Sequence, residues 1–337
     1  MEKMTFCVPC LFGLEGLVGD ELRRLELEDV RVEDRRVFFA GDLAAMARAN
    51  LCCRMGERVM ILLAKGQVRS FEELFQLVKN APLERFIPKD GAFPVKGYSL
   101  SSQLHSVPDC QAIAKKAAVT RLGEKYGMSW LPETGAAYPL RFSILKDECE
   151  LFLDTTGASL HKRGYRETAN LAPLHETMAA AMVNLARYRG RDFFWDPFCG
   201  SGTLPIEASL MMRNIAPGIA RRFAAEHFEF VPKTVWKNAR TEARDAAVKN
   251  DFHAFASDID ADCVELTKAN AARAGVSDCI DVFRKDALKI EKHDLRTTLV
   301  FNPPYGERMS SIAEARELYR KLGRVLTKVV PPWQMYL

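Results

Sequence analysis

No stretch of this 337-residue chain comes near the roughly 20 uninterrupted apolar residues that a membrane helix needs, so no helical membrane span is expected. The start, Met1-Glu2-Lys3-Met4-Thr5, lacks the basic, apolar and small-residue parts of a signal peptide, and a cytoplasmic protein is the expectation. Charge of one sign is lacking too. Lys plus Arg number 48 against 44 Asp plus Glu, and the formal balance of +4 permits nucleic-acid binding without demanding it. There is no internal repeat and no low-complexity tract. The nine cysteines are scattered and odd in number, which argues for reduced thiols over a disulfide framework. Cys7 and Cys10 form a CxxC with neither a second CxxC nor a nearby His pair, so no metal site is expected there; they read as strand residues, and Cys52 and Cys53 as packing residues of a helix.

What is present is ordinary globular composition, 48% hydrophobic and 27% charged, over a length that suits two or three domains. The first 60 residues read β-α-β-β-α: a strand over Thr5–Cys10, a helix over Leu14–Leu25, strands over Val30–Val32 and Arg36–Phe39, and a helix capped by Asp42 that runs through Arg54. A strand over Arg58–Leu63 follows, and this order suggests a small ferredoxin-like domain. In a second unit, Ser70 caps a helix, Phe93–Ser99 reads as a strand, Pro108 starts a long helix, and Tyr138–Leu145 and Glu150–Thr155 read as paired strands. A third unit begins near Leu160, with Pro173 at a helix start. Strands at Phe193–Trp195, Ala254–Ser257, Ile280–Phe283 and Leu299–Phe301 then alternate with helices at Leu204–Arg213 and Ala261–Ala274, the pattern of a doubly wound, Rossmann-like parallel sheet.

Four sites of chemistry fall in order on successive strand ends. In Trp195-Asp196-Pro197-Phe198-Cys199-Gly200-Ser201-Gly202-Thr203 an apolar strand ends at an acid, and a glycine turn follows that lets backbone approach a ligand closely. The P-loop lysine is missing, and Pro205 stands where a dinucleotide fingerprint has its third glycine. An acid at this point suits a ligand with a cationic amino group rather than a diphosphate. Asp258, in Ser257-Asp258-Ile259-Asp260, can accept both hydroxyls of a ribose, and Ile259 can cover an adenine face. Asp286, in Lys285-Asp286-Ala287, can accept from an adenine amino group. In Phe301-Asn302-Pro303-Pro304-Tyr305, two prolines fix the backbone. The Asn302 amide oxygen and the Pro303 carbonyl become preset acceptors for an NH2 group, and Tyr305 offers a face for an extruded base.

This order of motifs resembles the class I methyltransferase fold in its amino-methylating branch. His161-Lys162-Arg163-Gly164-Tyr165-Arg166, Ala172-Pro173-Leu174 and Arg213-Asn214-Ile215-Ala216-Pro217-Gly218 are similar to the bacterial THUMP-domain RNA methyltransferases, and Lys96 through Lys116 resembles that family's THUMP domain. The resemblance covers nearly the whole chain. It implies a ferredoxin-like domain over 1–60, a THUMP RNA-binding domain over 61–158 and a class I methyltransferase domain over 159–337. It implies S-adenosylmethionine as cofactor, held by Asp196, Pro197, Phe198, Gly200, Ser201, Gly202, Asp258, Ile259, Asp286 and Ala287, with Asn302, Pro303, Pro304 and Tyr305 at the target amine. The implied reaction is methylation of guanine N2 in large-subunit ribosomal RNA, a step of rRNA processing that needs no metal. The family's sheet normally ends in an antiparallel hairpin, whereas this chain stops within its fifth strand, Trp333–Leu337, so that hairpin is expected to be missing.

Two other readings stay open: a DNA adenine-N6 methyltransferase, which relatives are often labelled, and a non-catalytic RNA-binding or assembly protein. A base-C5 methyltransferase would need a cysteine nucleophile beside the base, and the Asn302 loop has none. Lys115, Lys116, Arg121, His161, Lys162, Arg163 and Arg166 are the candidate contacts to structured RNA, positioning it through phosphates rather than reading its sequence.

Overall fold

Seven strands of the first 160 residues join one sheet. In the computed structural model, which describes residues 3–166, 174–292, 294, 296–304, 312–330 and 333–337, two compact groups emerge. The first comprises Met1–Leu160 with Arg222–Glu242, the second His161–Arg221 with Ala243–Leu337. The first runs β1 (Met4–Pro9), α1 (Glu15–Arg24), β2 (Glu28–Glu33), β3 (Arg36–Gly41), α2 (Leu43–Cys52), β4 (Met60–Gln67), α3 (Phe71–Asn80), β5 (Val95–Leu100), α4 (Val107–Tyr126), β6 (Leu140–Leu145) and β7 (Glu148–Asp154).

The strand order is β2-β3-β1-β4-β7-β6-β5. The two small units expected from the sequence thus share one sheet, because β4 pairs antiparallel with β7 along most of its length. Side chains alternate across the pleat. Cys7, Phe38, Met60 and Phe152 pack on one face, while their neighbours Phe6 and Phe39 stack with centroids 4.9 Å apart. Cys7 and Cys10 are buried.

Local chemistry sets the boundaries. Asp42 caps α2 through Ala45 N at 3.0 Å, and Ser70 with Glu73 forms a capping box on α3. The second helix stops at Cys52, short of the expected Arg54, since the buried Glu21 carboxylate accepts from Arg54 N (2.8 Å) and Met55 N (3.1 Å). β4 starts at Met60 and not Arg58, because Val59 N is taken by the Thr156 hydroxyl at 2.8 Å.

The second group contains α5 (Glu176–Leu185), β8 (Phe193–Asp196) and α6 (Thr203–Met212); then, after α7 (Lys233–Asp245), whose residues through Glu242 belong to the first group, β9 (Ala254–Asp258), α8 (Ala261–Ala274), β10 (Ile280–Arg284), β11 (Thr297–Val300), α9 (Ile312–Val329) and β12 (Gln334–Tyr336). Its sheet has the order β10-β9-β8-β11-β12 and every pairing is parallel. Both faces are covered, as a parallel sheet requires. Ala179, Val183, Leu204, Ile206 and Ala271 of the helices pack with Phe194, Ala254, Ala256 and Val300 on one side. Leu322, Leu326 and Val329 of α9 pack with Trp195, Leu299, Phe301 and Trp333 on the other. The expected fifth strand is β12, at the sheet edge. The helix start expected at Pro173 lies outside the described residues. Among the described residues, no helix is long and apolar enough to cross a membrane.

Candidate active site

Chain order reverses at β8: β9 and β10 extend the sheet to one side, β11 and β12 to the other. Open α/β sheets bind ligands at such a switch point, in the crevice at the carboxyl ends of the strands. Four of the five strand ends there carry the sequence-predicted residues.

The glycine turn closes β8. Asp196 is 2% exposed, its carboxylate accepts from Phe198 N at 3.0 Å, and no cation pairs with it among the described residues. Burial pushes its carboxyl up to about 8, helped by the nearby Asp258. Gly200 has φ +53°, and a Cβ there would meet nothing within 4 Å, so this bend opens onto free space. Gly202, at φ +80°, is held for another reason: a Cβ would lie 2.7 Å from the Thr267 methyl of α8. Its N–H donates to Cys199 O at 2.7 Å, closing the turn as α6 begins.

Asp258 at the end of β9 is tied to this turn. One carboxylate oxygen accepts from Gly200 N at 2.9 Å and the other from Asp260 N at 3.0 Å. Each oxygen retains a second acceptor site. Beside it Ile259 is 61% exposed, an apolar side chain presented to solvent. One strand further, Lys285 N donates to Asp258 O at 2.9 Å, and Asp286 caps a short turn through Leu288 N at 2.9 Å. Ala287 is buried with Ile290 and Trp195. On the other side of β8, Phe301 stacks on Phe198 with centroids 5.7 Å apart. Asn302 and Pro304 are half-buried and Pro303 is buried. Tyr305 lies outside the described residues.

Sequence reasoning missed the residues behind the turn. Thr267 donates to Gly200 O at 3.0 Å and Asn270 to Ser201 O at 2.9 Å, both fully buried on the inner face of α8. Ser201 also meets the Thr203 hydroxyl at 3.2 Å. The available signal was two polar residues, three apart, on the face that Val264 and Ala271 mark as apolar.

The basic motif is redirected. Arg163 was expected at a phosphate, yet it is 3% exposed and its guanidinium spans both oxygens of the fully buried Glu207 of α6 at 3.3 Å each, with Tyr165 OH at 3.2 Å. Arg166 donates to Thr203 Oγ1 (2.6 Å) and Leu174 O (3.1 Å) and pairs with Glu176 at 3.6 Å. Both arginines are struts for the helix that follows the glycine turn. His161 stacks on His175. In the first group, Lys115 is committed to Glu133 (2.6 Å), Phe93 O and the Phe93 ring, and Arg121 is paired through two nitrogens with Glu84. Lys116 and Lys162 are exposed. No cluster of His, Cys, Asp and Glu that could hold a metal ion occurs among the described residues.

Comparison with known proteins agrees with this geometry. The RMKL-like methyltransferase domain matches residues 163–337, the RlmL ferredoxin-like domain 5–60 and the THUMP domain 68–154. The chain is 41% identical to the Putative RNA methyltransferase YpsC of Bacillus subtilis (strain 168), over 100% of this chain and 88% of that one. It is 31% identical to the Ribosomal RNA large subunit methyltransferase K/L of Psychromonas ingrahamii, over 98% of its own length but 45% of the relative's. Among solved structures, a predicted N6-adenine-specific DNA methylase from Listeria monocytogenes str. 4b F2365 superposes with TM-score 0.94 at 46% identity, covering 99% of this chain and 88% of that one. SMU.472, a putative methyltransferase complexed with SAH, superposes with TM-score 0.91 at 36% identity, covering 98% and 88%. With its parallel sheet, its glycine turn at the switch point and its two preceding domains, the chain belongs to the RMKL-like methyltransferase family.

Proposed function

We propose that the chain transfers a methyl group from S-adenosylmethionine to an exocyclic amine of a base in RNA, namely guanine N2 of large-subunit ribosomal RNA. The observation that carries this reading is Asp196, a buried carboxyl with no cation paired to it among the described residues, at the first residue of a glycine turn whose Gly200 faces free space. Ionising a buried carboxyl without a partner is costly. A ligand that brings a cationic amino group to this turn removes that cost. Asp258 has acceptor capacity left for a ribose, and Ile259 an exposed apolar face for an adenine, with Asp286 and Ala287 beyond it; Pro197, Phe198, Gly200, Ser201 and Gly202 shape the amino-acid end.

The relatives supply further support: SMU.472 is complexed with SAH, and two curated relatives are named as RNA methyltransferases, one of them of the large ribosomal subunit. In this reading residues 1–60 and 61–158 engage structured RNA and residues 159–337 carry the chemistry, at a cytoplasmic site of action. S-adenosylmethionine supplies a methyl group already activated as a sulfonium. The protein's task is to hold the amine. The Asn302 side-chain oxygen and the Pro303 carbonyl accept its two hydrogens, Pro304 fixes that backbone, and Tyr305 clamps the extruded base.

The test is transfer of labelled methyl to large-subunit RNA from cells lacking this protein, followed by nucleoside mass spectrometry. N2-methylguanosine is expected. Label in N6-methyladenine of DNA, with none in RNA, would establish the DNA-methylase alternative instead.

Asp196 adds a pH signature. Its folded pKa, about 8, lies above the ordinary carboxyl value, so at pH 7 the free protein holds a proton there. A cationic amino group favours the ionised form. Binding of S-adenosylhomocysteine at pH 7 should therefore release about one proton, and affinity should fall as pH drops below 8. Calorimetry in buffers of different ionisation enthalpy reads this directly. The wild-type enthalpy should depend on the buffer and that of Asp196→Asn should not; identical slopes would remove Asp196 from the cofactor site.

A further inference from the structure

Residues 222–240 form a groove of about 650 Å³ within the first group, lined by Arg222, Glu226, Lys233, Trp236, Lys237 and Arg240. Its floor is aromatic. Trp236 stacks on Phe223 at 5.1 Å and 11°, and its indole N–H donates to Ala225 O at 3.3 Å. The segment is anchored to the sheet end, where Phe228 stacks on Tyr138 at 4.6 Å and Glu229 N donates to the Tyr138 hydroxyl at 3.1 Å.

Four permanent cations line this groove against one carboxylate, and that carboxylate is spent. Glu226 accepts from Phe223 N (3.0 Å), Arg222 (2.9 Å) and Arg240 (2.7 Å). Lys233 and Lys237 are exposed and have no carboxylate partner among the described residues. They stand four residues apart on α7, about 6 Å along the axis, where like charges repel and destabilise a helix. A merely solvated face pairs such positions with acids. Two such cations in series above an aromatic floor suit a polymer of single negative charges better than one small anion.

We propose that this groove holds the phosphodiester backbone of the RNA substrate, with Lys233 and Lys237 on successive phosphates. The proposal rests on RNA being the substrate class. It places the electrostatic contact on a segment distant in sequence from the basic residues first considered, of which Lys115 and Arg121 are committed internally. Contacts of this kind position RNA without reading its sequence.

The test uses the full chain and a fluorescently labelled RNA stem–loop, with a DNA hairpin of the same sequence as second probe. Both lysines are exposed, so Lys233→Glu/Lys237→Glu should fold normally, and Lys268→Glu/Lys328→Glu serves as a control of equal charge. The groove variant should bind the RNA about tenfold or more weakly near 0.1 M salt, and the slope of log affinity against log salt should shrink by about 2, one per lost phosphate contact. Binding within twofold of wild type, or a loss no larger than the control's, overturns the proposal. Equal affinity of the wild-type chain for both hairpins, lost equally in the groove variant, overturns the RNA assignment in favour of general polyanion binding. S-adenosylhomocysteine affinity, measured on the same proteins, should not change. Its absence from the wild type would count against the methyltransferase reading, whereas the RNA result judges the groove.

Discussion

Arg163→Ala is expected to destabilise the second group by about 3–5 kcal/mol, the cost of removing one partner of a buried ion pair. Both ends of this pair are buried, and Glu207 is fully so. Without the guanidinium, Glu207 keeps only the Tyr165 hydroxyl as a partner among the described residues, and its side chain is left in the interior without its cation. Urea unfolding of the variant reads the loss. A loss below about 1 kcal/mol would mean that the pair is dispensable. Arg163→Met combined with Glu207→Gln should recover part of the loss, since removing both charges ends the imbalance. The same change tests position as well as stability. Glu207 lies on α6, which starts at Thr203 directly after the glycine turn, so S-adenosylhomocysteine affinity should weaken in Arg163→Ala while the double variant regains some of it.

That pair also marks the limit of what the sequence discloses. The glycine turn, Asp258, Asp286 and the Asn302 loop stand out because each follows an apolar strand with polar, glycine or proline residues, although Asp258 and Asp286 also hold their own turns. Their order on successive strands then implies one crevice. The parallel sheet is legible for the same reason, and its β8–β11 adjacency brings Phe198 onto Phe301 as the motif order suggests. Arg163 was misread because an arginine in a basic motif looks like a phosphate contact until its partner, 44 residues away, is known. Thr267 and Asn270 escaped because their hydrogen bonds go to backbone carbonyls, which carry no sequence signature. The joining of β4 to β7 is likewise a ladder of main-chain bonds, and nothing in either strand's pattern names its neighbour. Residues 222–242 carry no motif that assigns them to a domain, and their membership of the first group depends on Tyr138 and other distant residues.

Asn302→Ala is expected to lower the rate of methyl transfer by roughly 100-fold or more, the scale of losing one hydrogen bond that matters most in the transition state. A guanine amine is a weak nucleophile because its lone pair is delocalised into the ring. In the proposed reading, two acceptors on its hydrogens turn that lone pair toward the methyl donor and favour the pyramidal nitrogen that forms as the bond is made. Asn302 follows β11 at the switch point, half-buried, next to buried Pro303 and to Phe301, which stacks on Phe198 of the glycine turn, so the start of the loop is held beside that turn. Removal of the amide would, on that proposal, leave the Pro303 carbonyl as a single acceptor and let the amine rotate. RNA affinity should change little, because phosphate contacts dominate it. S-adenosylhomocysteine affinity should also hold, since the contacts proposed for Asp196 and Asp258 are untouched. Single-turnover kinetics with saturating RNA separates chemistry from binding. A rate within threefold of wild type would show that the amine is held elsewhere. A loss that disappears at higher RNA concentration would assign Asn302 to binding rather than to the chemical step.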